Sequence, residues 1–296
     1  MGNRRLGTKR LENVMDNMLS NAALNGLNGS PFTIKNPDRY YLEEYFSHQP
    51  ALNAALDETD TEAAYVPANK HFEVLGTNAT SALVDWGADD AGLLLTTATG
   101  DNDQIIILPH LNTLEDSQAQ SAWGGVLWGT ENQVQWETAI RTPATITTMS
   151  FWGGLKLTNT SVYATDANQA YFVWCTDDDL GALTTNANLH FVYSIANTDY
   201  ITDLGIAVAA DTNYRLGITV DSDRKASAWV NGVQYSLTGA TTAGGVATGK
   251  GTVKSLALTD NIDLIPYVGV QCHANSAARA LHLFYEKISR IFFENE

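Results

Sequence analysis

From residue 71 onward, apolar and polar side chains alternate with a period of two, the pattern of strands that have one dry face and one wet one. The stretch YRLGITVDSDRKASAWVNGVQY, 214–235, carries it most clearly. Tyr214, Leu216, Ile218 and Val220 alternate with Arg215, Gly217 and Thr219, and Asp221, Ser222 and Asp223 then supply turn-forming side chains. Ala226, Ala228 and Val230 resume the alternation with Trp229 on the other face, and Asn231-Gly232 is the pair suited to a type I′ hairpin turn. A calcium loop on Asp221 and Asp223 fails, because Lys225 and Ala226 stand where a further oxygen ligand and a glycine belong.

The same reading predicts strands over 72–75, 82–86, 92–97, 104–108, 133–141, 147–157, 170–175, 190–195, 200–208, 214–220, 226–230, 234–237, 254–258, 264–272 and 281–292. With no long helix between them, these strands predict an all-β chain: two stacked antiparallel sheets in a jelly-roll sandwich. In 133–141, Val134, Trp136, Thr138 and Ile140 face inward, and Gln133, Gln135, Glu137 and Arg141 face out.

Ahead of this region the period changes. Leu11, Val14, Met15, Met18 and Leu19 form the stripe of an amphipathic helix that stops at Asn25-Gly26. Residues 26–67 are rich in Asn, Gly and Pro, with helix-compatible pieces at 38–46 and 50–57, and Tyr40, Tyr41, Tyr45 and Phe46 are too aromatic for a free linker. The expected organisation is an extended, helical arm over 1–67 that docks on a neighbour, followed by the sandwich over 68–296.

Composition agrees with a folded β chain: 296 residues, 44% hydrophobic and 17% charged. Net charge is −16, unevenly spread: residues 1–45 hold six basic and five acidic groups, leaving 11 against 28 in the rest. An acidic body excludes nucleic acid as a partner, while Arg4, Arg5, Lys9 and Arg10 suit a negatively charged partner surface. There is no secretory h-region and no run of membrane-spanning length, so a cytosol-like compartment and no membrane are expected. Leu6 spoils the myristoylation pattern that MGNRRL begins, and the sequons at Asn78 and Asn159 lose meaning without secretion. Cys175 and Cys272, each in a strand, read as buried free thiols, with a bridge between neighbouring strands as the alternative.

Candidate chemistry is sparse. Six histidines are scattered without metal-ligand spacing, and no cofactor motif appears. Asp177, Asp178 and Asp179 in TDDDL are a weak calcium candidate, since a hard cation needs six or more oxygens. Glu137 has no second acid in its strand to complete a glycosidase pair. Trp123 and Trp128, in the glycine-rich SAWGGVLWGT, are the tryptophans expected at the surface and able to stack on a sugar.

The segments ENQVQWETAIRT, FWGGLKLTN, LHFVYS, DTNYRLGITVDSDRKASAWVNGVQY and DLIPYVGVQCHANSAARALHLFYEKISRIFF resemble the concanavalin A-like jelly-roll domains of lectin and laminin-G type, in the version found in structural proteins of tailed bacteriophages. The opening MGNRRLGTKRLE also looks like the start of marine phage virion proteins. The resemblance implies a non-enzymatic virion component, a capsid decoration or cement protein assembled in the host bacterial cytoplasm. Its partners would be the major capsid protein and further copies of itself in a homo-oligomer. Arg4, Arg5, Lys9, Arg10, Leu11, Val14, Met15 and Met18 would then anchor it. The calcium- and sugar-binding acids of lectins find no matching motif, and a carbohydrate-binding module of a tail fibre or host-recognition spike is the alternative.

Overall fold

The computed structural model describes residues 39–48, 50, 52–54, 72–86, 92–109, 122–123, 126–158, 160–177, 183, 186–241, 249–273 and 277–291. The strands are β1 (Arg39–Glu44), β2 (Leu52–Ala54), β3 (Phe72–Leu75), β4 (Val84–Trp86), β5 (Leu93–Thr96), β6 (Gln104–Leu108), β7 (Ala122–Trp123), β8 (Val126–Leu127) and β9 (Gln135–Arg141). They continue as β10 (Met149–Lys156), β11 (Gln169–Cys175), β12 (Asn188–Ile195), β13 (Thr198–Ala207), β14 (Asn213–Val220), β15 (Ala226–Val230), β16 (Val233–Tyr235), β17 (Ile265–Cys272) and β18 (Ala280–Ile291).

Two sheets stack. Sheet I runs β16-β15-β14-β9-β18-β5-β4, with β1 also on β18, and sheet II runs β13-β12-β11-β10-β17-β6-β3-β2. Period-2 alternation sends Trp136 and Ile140, Leu216 and Ile218, and Leu281, Leu283 and Ile288 inward from sheet I. Phe151 and Leu155, Phe172 and Trp174, Phe191, Val268 and Val270 meet them from sheet II in one continuous core. The hairpin at Asn231-Gly232 has the expected positive φ angles, +50° and +77°.

Three expectations change. Within the pieces 38–46 and 50–57, Arg39–Glu44 and Leu52–Ala54 are strands rather than helix, so residues ahead of 68 join the sheets. Tyr40 and Leu42 pack on the core, and β1 gains its backbone partners from the second half of β18, Glu286 to Ile291. A helix there would forfeit that edge. Residues 254–258 form no strand, contributing only a bridge between Ala257 and Lys225. The amphipathic stripe at 11–19 and the anchoring residues Arg4 to Met18 lie outside the described residues.

The last strand carries a β-bulge. On β18, Leu283 faces Ile140 of β9, but Tyr285 faces Ala139, so Phe284 is the extra residue. It falls where the partner on the other side changes, from β5 along Ala280 to Leu283 to β1 along Glu286 to Ile291. Two aromatics in succession, Phe284 and Tyr285, are thereby turned to the outer face of sheet I. The residue after them, Glu286, turns into the core beside Trp136, whose indole N–H donates to its Oε1 at 3.1 Å.

Candidate saccharide groove on the outer face of sheet I

The pairing registers lay the outer side chains of sheet I in rows. One row reads Leu94, His282, Arg141, Asn213 across β5, β18, β9 and β14. The next reads Tyr285, Ala139, Arg215, Asn231, and the third reads Glu43, Lys287, Glu137, Gly217, Trp229, Gln234. In the second row the single methyl of Ala139 lies between two long side chains, and a trough forms there. Its volume is about 450 Å3, lined by Ala139, Asn213, Tyr214, Arg215, Asn231, Phe284 and Tyr285. A smaller hollow of about 150 Å3 over the first row touches Leu94, Arg141, Asp211 and His282. The His282 and Phe284 rings, stacked at 4.4 Å and 21°, connect the two hollows.

The walls are fixed by charge and by ring contacts. The Tyr285 hydroxyl donates to Glu137 Oε1 at 2.7 Å. Burial, with the neighbouring Glu137 carboxylate, pushes the Tyr285 phenol far up, so it stays a donor across the physiological range. Arg215 Nε lies 3.9 Å from Glu137 Oε2 yet makes no hydrogen bond. The Lys287 ammonium sits between two rings, 4.7 Å from the centre of Tyr45 and 4.6 Å from that of Tyr285. Ring faces, a guanidinium and amide side chains in an open trough are the groups that bind a hydroxylated ring: apolar faces stack and the polar groups fix orientation.

The residues singled out in the sequence fare unevenly. Trp128 is not at the surface: it is wholly buried, packed 6.1 Å from the Tyr40 ring beneath β1. The glycine-rich context suggested exposure, but β1 covers the indole. Trp123 lies in β7, and its side chain is outside the described residues, as are Asp178 and Asp179. Asp177 pairs with His273 Nδ1 at 3.7 Å, and among the described residues no group of three His, Cys, Asp or Glu side chains is placed to hold a metal. Asp221 accepts from the backbone N–H groups of Asp223 and Lys225 and from Lys254 Nζ at 2.6 Å, as a turn residue does. Cys175 and Cys272 are buried and not joined in a disulfide. Glu137 does not line the trough: it is buried behind Tyr285, opposite Gly217 on β14 and Lys287 on β18, so neither cross-strand neighbour is an acid.

Arg215, Phe284, Tyr285, Asn231 and His282 are brought together by strand register, not by any spacing in the sequence. One signal for them was present in the sequence: the apolar phase of the last strand shifts between Leu283 and Ile288, which announces the bulge. Among the described residues no helix is long and apolar enough to cross a membrane.

No family model and no curated protein matches this chain. Among solved structures it is similar to one described with the endo-acting O-glycanases that prominent members of the human gut microbiota express to initiate mucin breakdown. That pair shares 6% identity over 84% of this chain and 98% of the other, with a TM-score of 0.50. Similar too are a glycoside hydrolase family 16 endo-glucanase from Bacteroides ovatus (8% identity, 83% and 99% covered, TM-score 0.48) and the Emp47p carbohydrate recognition domain (9%, 87% and 99%, 0.48). At 6% identity the likeness to the first of these is one of fold alone, a two-sheet jelly-roll sandwich. Nothing in these likenesses speaks for a capsid or a phage.

Proposed function

We propose that this chain is a carbohydrate-binding module and that the trough on the outer face of sheet I receives a saccharide. The observation that carries the reading is the bulge-built wall of Phe284 and Tyr285 facing Arg215 and Asn231 across Ala139. The trough and the smaller hollow beside it together suit an extended chain of sugars rather than a single ring, with the His282–Phe284 pair between them. Recognition without turnover is the reading favoured by the chemistry behind the wall, because Glu137 accepts from Tyr285 and its cross-strand neighbours are Gly217 and Lys287. A glycan array on the full chain, followed by calorimetry on Phe284→Ala and Arg215→Ala, tests it. Binding that both variants weaken tenfold or more is expected; a chain that binds no glycan, or variants that bind as well as the parent, overturns it.

A capsid-anchoring role is a second proposal, supported by the basic residues Arg4, Arg5, Lys9 and Arg10 ahead of an acidic body. Co-sedimentation with undecorated phage heads, comparing the full chain with one in which those four are glutamine, tests it. Retained binding at physiological salt sinks that idea.

A further inference from the structure

The outer face of sheet II is the opposite of the trough: closed, aromatic and short of hydrogen-bond partners. Trp152 on β10 lies flat over Gly269 of β17, where a Cβ would stand 2.6 Å from the indole ring. Tyr171 and Tyr267 flank Gly154, two residues along the same strand. Gln169 and Lys156 complete the row beyond. These side chains are at most 1% exposed. Yet Trp152 Nε1, both amide atoms of Gln169 and the Tyr267 hydroxyl have no hydrogen-bond partner. Buried polar groups are satisfied nine times in ten, so four such atoms on one stretch of sheet point to a missing partner.

The chemistry of that partner follows from what is left over. Lys156 is already answered: its ammonium donates to the Thr160 carbonyl at 2.6 Å and lies 3.7 Å from Asp166 Oδ2. The remaining groups are neutral and of both kinds, an indole donor, an amide with a donor and an acceptor, and a phenol that can do either. Hydroxyl groups match that set, and a flat apolar ring face matches Trp152. A ring already occupies that position. Tyr163, from the loop between β10 and β11, stacks on Trp152 at 4.1 Å and 18°. It is 4% exposed while its neighbour Val162 is 50% exposed, so the ring is inserted and the chain beside it is not.

We propose that this face is a second binding site, for a neutral hydroxyl-rich ring such as one hexose unit, and that Tyr163 holds its place on Trp152 until the ligand displaces it. The site is separate from the trough and does not depend on it. The test is calorimetric titration of D-glucose, D-galactose and D-mannose into the full chain carrying Phe284→Ala, so that the trough is disabled throughout. Adding Tyr163→Ala removes the competing ring and lowers the dissociation constant for at least one sugar tenfold or more. Adding Gln169→Leu or Tyr267→Phe to that variant reverses the gain, although each removes an orphan polar group and leaves the fold at least as stable. Should Tyr163→Ala fail to fold, Tyr163→Leu keeps an apolar contact with Trp152 and serves in its place. A folded Tyr163 variant that binds none of the three sugars overturns the proposal. So does binding indifferent to Gln169→Leu and Tyr267→Phe, the result expected if those atoms are satisfied by water alone. Failure of the trough reading shows instead as glycan binding by the parent chain that survives Phe284→Ala.

Discussion

The two sheets of this sandwich present outer faces built on opposite plans. On sheet I, long polar and aromatic side chains stand around small ones, and the trough over Ala139 stays open. On sheet II, the strands β10, β11 and β17 are buried along their whole length on both sides, and Leu75, Ile106, Val173, Val192 and Ile201 join the aromatics in a second apolar cluster. Within that closed face polar groups are treated in two ways. At one end Gln104 donates to Gln271, Gln271 to Asn102, and His273 meets Ser150 at 2.9 Å. At the other end Gln169 and Tyr267 are left wanting. The difference teaches that burial alone does not mark a site. What separates a structural face from a binding face is whether its polar groups already have partners.

The contrast can be attacked first where it is most rigid. A Cβ on Gly154 would run into the Ala170 carbonyl and the backbone of Tyr171, so Gly154→Val should cost about 3 kcal/mol or more, or prevent folding. Ala139→Leu on the open face should change stability by less than about 1 kcal/mol while filling the trough and abolishing saccharide binding. Urea unfolding of both variants, with calorimetry on the second, checks the pair. Equal losses of stability would erase the distinction between the faces.

The next effect lies between the sheets. Burial raises the Glu286 carboxyl to about 8, with the Trp136 hydrogen bond opposing. The fold therefore holds a proton that the unfolded chain has released, so this group's contribution to stability is fully present below about pH 4.5 and is lost as pH rises to about 8. By linkage, at about 1.4 kcal/mol per unit, the loss amounts to about 5 kcal/mol at most. Glu286→Gln should flatten that dependence, as read from unfolding midpoints at pH 5 and pH 8.5. A parent chain as stable at pH 8.5 as at pH 5 would rule this out.

Smaller still is the clamp on the open face. Lys287→Met removes a cation from between two tyrosines at the surface and should cost under about 1 kcal/mol, a loss that salt diminishes. A thermal shift of more than a few degrees would show that sheet I depends on its outer face more than its exposure suggests.

Local pattern made the sandwich legible, and non-local pairing hid the site. The hairpin at 214–235 could be read because its turns and its alternation lie within one stretch of chain. The strand at Arg39–Glu44 could not, since its edge partner lies some 250 residues away in β18. Trp128 misled for the same reason: the residue that covers it, Tyr40, is remote in sequence. The trough needs Ala139 to fall between Tyr285 and Arg215, a statement about the registers of three strands, and no single segment contains it.

The bulge at Phe284 has one more consequence. Ahead of it the inward positions of the last strand are odd-numbered, Leu281 and Leu283; after it they are even-numbered, Glu286 and Ile288. A strand in a single phase can slide by two residues and still present the same face. A strand that changes phase midway cannot, because any slip moves the break away from the point where β5 gives way to β1. The extra residue therefore works as a ratchet tooth. It leaves the chain's final strand one position along its neighbours, and so times the closure of sheet I to a single alignment.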